Sequence, residues 1–355
     1  MDEAFMAHVI SLAQLGWGQV APNPLVGAIV VKDGEVVGSG YHSRFGDPHA
    51  EVVALNEAGP RASGATLYVN LEPCNHYGKT PPCTKTIIDA GIGRVVLASR
   101  DPNPVASGGA ERLRAAGITV DFDVCESEGA EINAAFFNSF KSDRPWVTLK
   151  LAVSLDGSIA PADRKTAMIT SDKSLEVVHR MRAQHDAIAV GAATAAADDP
   201  QLTARSDPPP RVPPTRIVFD RAAKLSAQSK LAKTAKKVPT LVITGETTAL
   251  PADLANQGVE RLPAHDLADA LQKLKARGII SLMVEGGAGL AASFLASGFV
   301  DRLVIFEAPI ILGSGSLNAF SGIAGQSVHD APRFRVLSSA RIENDVMTTY
   351  AIEKD

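Results

Sequence analysis

Gly46-Asp47-Pro48-His49-Ala50-Glu51, Leu71-Glu72-Pro73-Cys74 and then Cys83, nine residues after Cys74, are the stretches that decide this chain. One histidine and two cysteines are three good zinc ligands. Pro48 stands where a helix can begin, and Ala50, Val53, Ala54 and Ala58 recur at helical spacing up to Gly59. Ala65 to Leu71 reads as a strand, and Thr84 to Ala90 as a helix closed by Gly91. His49 is thus expected near one helix N-terminus, with Cys74 and Cys83 flanking the start of the next. Helix N-termini carry a positive end field that favours thiolates.

Three protein ligands leave the fourth zinc position open for water, which is the catalytic arrangement. Zinc lowers that water's pKa towards about 7. Glu51, too close to His49 to be a spare fourth ligand, is placed to take the water's proton and pass it to a ring nitrogen and departing ammonia. The order H-x-E…P-C…C is that of zinc-dependent deaminases of cytosine- and adenine-like rings. Alone, a His-x-Glu is uninformative, and two cysteines at this spacing are commonly unrelated buried thiols; the ordered combination carries the signal. The rival is a structural zinc, for which His76 is the nearest fourth ligand. Cys125 lies outside the pattern and reads as a small hydrophobe.

Working outward, residues 4–15 read as an amphipathic helix. Leu25 to Val31 and Glu35 to Tyr41 are strands joined by the turn signal Asp33-Gly34. Arg94 to Ser99 and Ile118 to Phe122 are strands around a helix from Gly109 to Ala116, and 127–140 is helical. A hairpin followed by alternating units implies a layered α/β domain. The polar run Lys141-Ser142-Asp143-Arg144-Pro145 marks the boundary, giving domains 1–143 and 144–355. Strand-like runs at 146–153, 186–190, 215–219, 239–244, 280–284 and 302–309 make the second part α/β as well. Pro208-Pro209-Pro210 and Pro213-Pro214 mark a stiff loop inside it.

The 355 residues are 45% hydrophobic and 21% charged, as expected of a soluble globular protein of two domains. A net charge of −4 without a basic block speaks against nucleic acid as partner. Asp2 and Glu3 stand where a signal peptide would be basic, and the run Gly286 to Val300 is too short to span a bilayer. A cytoplasmic protein without membrane or disulfide framework is expected.

Further residues narrow the reading. Pro22-Asn23-Pro24-Leu25-Val26-Gly27, Gly40-Tyr41-His42, the stretch Leu71 to Cys83 with its Thr80-Pro81-Pro82 ending, and Asp101-Pro102-Asn103-Pro104 resemble the bifunctional riboflavin-biosynthesis deaminase–reductase family. The eight residues between the cysteines are distinctive of it, since nucleic-acid and cytidine deaminases usually have Cys-x-x-Cys. The resemblance continues through Leu149 to Gly157, Ile169-Thr170-Ser171, Met181-Arg182-Ala183, Gly191, Thr194, Ala197-Asp198-Asp199-Pro200, Leu202 to Arg205 and Val284-Glu285-Gly286-Gly287.

The resemblance implies a cytidine-deaminase-like α/β/α domain followed by a dihydrofolate-reductase-like α/β domain. It implies deamination of a diaminopyrimidinone carrying a phosphoribosylamino group, then reduction of the ribosyl unit with NADPH. By position, Asn23, His42, Asp101 and Asn103 would contact the pyrimidine. Val153, Met168, Thr194, Asp198, Arg221 and Gly287-Ala288-Gly289-Leu290-Ala291-Ala292-Ser293 would line the NADP site. Lys150, Thr166, Arg182, Leu202, Arg205 and Glu285 would face the phosphorylated substrate, which the cations suit. A dimer or tetramer is implied too.

The residues of the second half say less by themselves. No G-x-G-x-x-G follows a strand, so a Rossmann domain is not supported. A strand, Ser281 to Val284, runs into Glu285-Gly286-Gly287-Ala288-Gly289 and a helix from about Leu290. Glycines there let phosphates approach backbone N–H groups, although a ligand-free sharp turn explains them as well. Met168 stands where the family often has tryptophan. It motivates the alternative of a deaminase whose reductase half is inactive. A nucleic-acid deaminase and a non-enzymatic zinc module are the remaining alternatives.

Overall fold

The computed structural model describes residues 1–77, 81–165, 167–325 and 327–353. Thr166 and the motif residues Gly78, Lys79 and Thr80 lie outside them. Internal contacts divide the chain into two compact units, Met1–Lys141 and Ser142–Asp355.

In the first unit, α1 (Asp2–Ala13) precedes β1 (Gly27–Lys32) and β2 (Glu35–Tyr41). Next come α2 (Ala50–Ala58), β3 (Thr66–Leu71), α3 (Cys83–Asp89), β4 (Arg94–Ser99), α4 (Gly109–Ala115), β5 (Thr119–Asp121), α5 (Glu126–Ile132) and α6 (Ala134–Lys141). The sheet order is β2-β1-β3-β4-β5, antiparallel at its first two pairings and parallel at the last two. Asp33 and Gly34 both take positive φ, as a two-residue hairpin turn requires, and Lys32 pairs with Glu35 across it.

Alternation along β1 builds two cores. Ala28 and Val30 face one cluster with Ala54, Ile87 and Leu113; Ile29 and Val31 face another with Met6, Val9 and Ile10. The result is an α/β/α sandwich. Gly38 sits under α2: a Cβ there would lie 2.2 Å from the Ala54 carbonyl oxygen. Only glycine lets α2 lie this close to β2, and this packing sets the height of the helix that begins after His49.

The second unit contains β6 (Trp146–Ser154), β7 (Ser158–Ala160), α7 (Asp172–Ala183), β8 (Ala187–Gly191), α8 (Ala192–Asp198), β9 (Thr215–Phe219) and α9 (Lys230–Lys233). It continues with β10 (Thr240–Thr244), α10 (Ala252–Asn256), β11 (Glu260–Pro263), α11 (Leu267–Ala276), β12 (Ser281–Glu285), α12 (Ala288–Ala296), β13 (Arg302–Ala308), β14 (Leu317–Asn318), β15 (Phe334–Ile342) and β16 (Asp345–Ile352). Nine strands form one sheet in the order β11-β10-β9-β8-β12-β6-β13-β16-β15, parallel from β11 to β13 and antiparallel beyond. Apolar residues of β6 (Val147, Leu149, Leu151) pack with α11 and α12 on one face, and Met283, Val304 and Phe306 pack with Val178 of α7 on the other. Because β12 inserts between β8 and β6, the strand order reverses there. In open α/β sheets the crevice outside the carboxyl ends of the strands at such a point is where ligands bind.

The structure departs from the sequence reading in several places, among them the strands β7, β11 and β14, which that reading does not contain. The stretch 127–140 is two helices, broken at Asn133. The helix after Gly287 starts at Ala288 rather than near Leu290. The C-terminal hairpin β15–β16 had no counterpart in the sequence reading.

Candidate active sites

His49 is the N-cap residue of α2, and Cys83 opens α3 behind Pro82. Cys74 lies beyond the end of β3, and the Cys83 backbone N–H donates to its Sγ at 3.4 Å. The three ligand atoms converge: His49 Nδ1 is 3.2 Å from Cys83 Sγ and 3.7 Å from Cys74 Sγ. Tetrahedral zinc with its usual bond lengths spaces such donors roughly 3.5–3.8 Å apart. His76, the rival fourth ligand, is not part of this donor cluster among the described residues.

The electrostatics fit a cation. The Cys83 thiol, and after it His49, hold the Cys74 thiol down at about 4, while the Cys74 sulfur pushes Cys83 up. The Cys74 contact raises His49. Protons are thus shared among three groups that a metal ion would relieve of them. Glu51, on the first turn of α2, is 3% exposed, and its Oε2 is buried without a hydrogen-bond partner. Burial pushes its carboxyl up, towards the protonated form a proton carrier must visit. An orphaned carboxylate oxygen beside three convergent metal donors is the local sign that a metal and a polar ligand belong here.

Asn23 and His42 stand next to this cluster. Asn23 Nδ2 donates to His42 Nε2 at 3.1 Å, so the His42 proton is on Nδ1, 3.3 Å from the Pro48 carbonyl. Burial keeps His42 below its ordinary pKa, and its ring stands edge-on to His49 at 5.6 Å. Asp101 and Asn103 form a turn, with Asp101 Oδ1 accepting from Asn103 N at 2.8 Å and Asn103 Oδ1 from Val105 N at 3.0 Å.

Sequence reasoning passed over three residues that hold these groups. Glu72, 5% exposed, accepts from Ala110 N at the start of α4 and from Asp101 N. Asn70 and Asn133, both buried, grip the Leu25 backbone from two sides, fixing the loop that carries Asn23. The available signal was polarity inside apolar stretches, since buried polar groups are there to make hydrogen bonds.

In the second unit a cavity of about 940 Å³ opens at the carboxyl ends of β8, β9, β10 and β12. Thr194, Asp198, Arg221, Gly287, Ala288, Gly289, Leu290 and Ser293 line it, as do Lys150, Arg182, Leu202 and Glu285. Val153, Ala291 and Ala292 are instead packed into the core, and Met168 is 62% exposed; these four are not among the described lining residues. Arg205 is exposed and also outside the lining. Gly287 N–H donates to Thr194 Oγ1 at 3.1 Å, and a Cβ on Gly287 would meet that oxygen at 2.8 Å, whereas one on Gly289 would meet nothing within 4 Å. The turn before α12 is therefore tight at its base and open towards the cavity, a cradle suited to a dinucleotide phosphate.

Arg182 and Glu285 form a two-point ion pair inside the cavity. Lys150 lies 5.4 Å over the Phe306 ring, and burial lowers its ammonium pKa against the pull of Glu285.

Two family profiles match the chain: the cytidine and deoxycytidylate deaminase zinc-binding region over residues 1–99, and the RibD C-terminal domain over 145–348. The riboflavin biosynthesis protein RibD of Aquifex aeolicus is 47% identical over 353 residues, covering 99% of this chain and 98% of that one. The chain belongs to the RibD family. RibD of Escherichia coli is 38% identical, with 97% of this chain and 98% of that one covered. Acinetobacter baumannii RibD superposes with a TM-score of 0.86 at 34% identity, covering 99% of both chains. A diaminohydroxyphosphoribosylaminopyrimidine deaminase/5-amino-6-(5-phosphoribosylamino)uracil reductase from Thermotoga maritima gives 0.86 at 37% identity, covering 99% of this chain and 98% of that one. As a RibD protein the chain is a bifunctional deaminase and reductase of riboflavin biosynthesis, with a zinc-binding deaminase half and an NADPH-using reductase half. The reading with an inactive reductase finds no support in these comparisons. Among the described residues no helix is long and apolar enough to cross a membrane.

Proposed function

We propose that this RibD protein hydrolyses the 2-amino group from 2,5-diamino-6-(5-phosphoribosylamino)pyrimidin-4-one and then reduces the ribosyl chain of the product to ribityl. The observation that carries the first step is the orphaned Glu51 Oε2 beside the convergent His49, Cys74 and Cys83 donors. Those three residues hold zinc, which when bound supplies Lewis-acid activation of water. Glu51 carries the water's two protons in turn at Oε2, the first to the ring nitrogen as the hydroxyl adds and the second to the leaving nitrogen as the carbonyl forms, so that water replaces the amine and ammonia departs. Asn23 and a neutral His42 orient the pyrimidine, together with Asp101 and Asn103 from the loop after β4.

NADPH, when bound, would supply the hydride for the second step. Gly287 to Leu290, Ser293, Thr194, Asp198 and Arg221, all on the cavity wall, hold the cofactor. Lys150, Thr166, Arg182, Leu202, Arg205 and Glu285 face the substrate, and the cations among them suit its phosphate. Domains 1–143 and 144–355 carry the two steps. A homo-oligomer, dimer or tetramer, belongs to the same reading and rests on the family resemblance.

The test is Glu51→Gln with metal analysis. Zinc content stays at the wild-type level and ammonia release from the diaminopyrimidinone disappears. Native-rate deamination by that variant contradicts the assignment.

A further inference from the structure

We propose that His179 is the positioning residue that aims Arg205 at the substrate phosphate of the reductase site. His179 lies on α7, one helical turn before Arg182, and is 6% exposed. The Arg205 Nη2 lies 2.9 Å from His179 Nε2. A guanidinium can only donate, so Nε2 carries a lone pair and the ring proton sits on Nδ1. The ring also bonds the Thr203 carbonyl, to which Arg182 Nη1 donates at 3.1 Å; with Nε2 accepting, that bond falls to Nδ1. The Arg205 backbone N–H also points at Nδ1, at 3.4 Å, a longer approach than the one Nε2 makes to the guanidinium. The shorter contact decides the tautomer.

Glu285, Arg182 and the Thr203 carbonyl are thus linked to His179, and His179 to Arg205, whose Nη1 also reaches Gln201 Oε1 at 3.1 Å. Arg205 itself is exposed. A long exposed arginine samples many rotamers, and a buried acceptor that selects one lowers the entropy lost on binding. Because the acceptor is neutral, the arginine keeps its full charge for a phosphate, which a carboxylate partner would offset.

The charged groups around His179 are Arg182 on its own helix, Arg205 from the loop and Glu285 from β12. Burial first, then the two arginines, hold its pKa below the ordinary histidine value. The sign follows. At neutral pH the ring is uncharged and accepts from Arg205. As pH falls the ring protonates, the lone pair is lost and a cation faces two others, so Arg205 is released.

The inference rests on the proposed role of Arg205 at the phosphate, and the experiment separates the two. Binding of the deaminated ribosylaminopyrimidine 5′-phosphate to the full chain is measured by calorimetry without NADPH, alongside KM and kcat with it, for wild type, His179→Gln, His179→Asn and Arg205→Ala. The Gln carbonyl reaches the place of Nε2, and the shorter Asn does not. The expected result is near-native binding for Gln and about tenfold weaker binding for Asn and for Arg205→Ala, with kcat of the two His179 variants within about twofold. The ratio of wild-type to Gln affinity falls as pH is lowered from about 8 to about 5.5, a comparison that cancels titration of the phosphate itself. Unchanged binding by Arg205→Ala overturns the phosphate reading and the inference with it. Weak binding by Arg205→Ala with native binding by Asn, or a pH-independent ratio, overturns the positioning role alone.

Discussion

Arg182 and Glu285 face each other across the reductase cavity with Nη2 2.7 Å from Oε2 and each side chain 12% exposed. Burial alone would raise the Glu285 carboxyl; Arg182 outweighs it and keeps the carboxylate charged. Removing one partner leaves an uncompensated buried charge, a loss of about 3–5 kcal/mol. Arg182→Met is therefore expected to lower the unfolding free energy of the reductase unit by that order in urea denaturation.

The Gly287 N–H to Thr194 contact leaves no room for a side chain. Gly287→Ala must push Thr194 or the turn aside. NADPH binding, followed by fluorescence titration, is expected to weaken about tenfold, equivalent to about 1.4 kcal/mol. Deamination is expected to stay at its native rate, because the cluster of His49, Cys74 and Cys83 is in the other unit.

Much of the deaminase unit is legible in the sequence, and the reasons differ from element to element. Asp33-Gly34 and the apolar alternation in β1 are local signals, and the hairpin follows from them. The ligand triad was legible because helix starts after Pro48 and Pro82 are also local. The break at Asn133 was not, because its side chain bonds Leu25, 108 positions away. Nor was the hairpin β15–β16: most of β15 is exposed, so it shows no burial alternation, and its turn at Glu343-Asn344 lacks glycine. The NADP-site assignments taken from resemblance divide in the same way. Thr194 and Gly287 line the cavity, while Val153, Ala291 and Ala292 are core residues that strand and helix periodicity alone would have placed inside.

Glu72 ties the start of α4 to the loop carrying Asp101. Glu72→Gln removes a negative charge at a helix N-terminus and is expected to destabilise the unit by about 1 kcal/mol. Thermal denaturation checks this; an unchanged melting temperature would mean that the helix start is held by other contacts.

Acid sensitivity has a defined source at the N-terminus. Arg94, and then Tyr68, hold the Asp2 carboxyl at about 2, below its ordinary 3.8. The folded-state pKa is depressed, so the stabilisation is fully present above about pH 4 and is lost as pH falls towards about 2. Both side chains of the Arg94 pair are 35% exposed, which limits the effect to about 1 kcal/mol or less. Asp2→Asn is expected to be less stable than wild type at pH 7, with the difference shrinking as pH falls through about 2, in denaturant titrations.

The most direct test of two activities on one chain is a paired assay of Glu51→Gln. The diaminopyrimidinone and the already deaminated pyrimidine are each mixed with the variant and NADPH, and ammonia release and NADPH oxidation are followed. The expected result is no turnover of the first substrate and native-rate NADPH oxidation with the second. NADPH oxidation absent with the second substrate in both the variant and wild type would contradict the account.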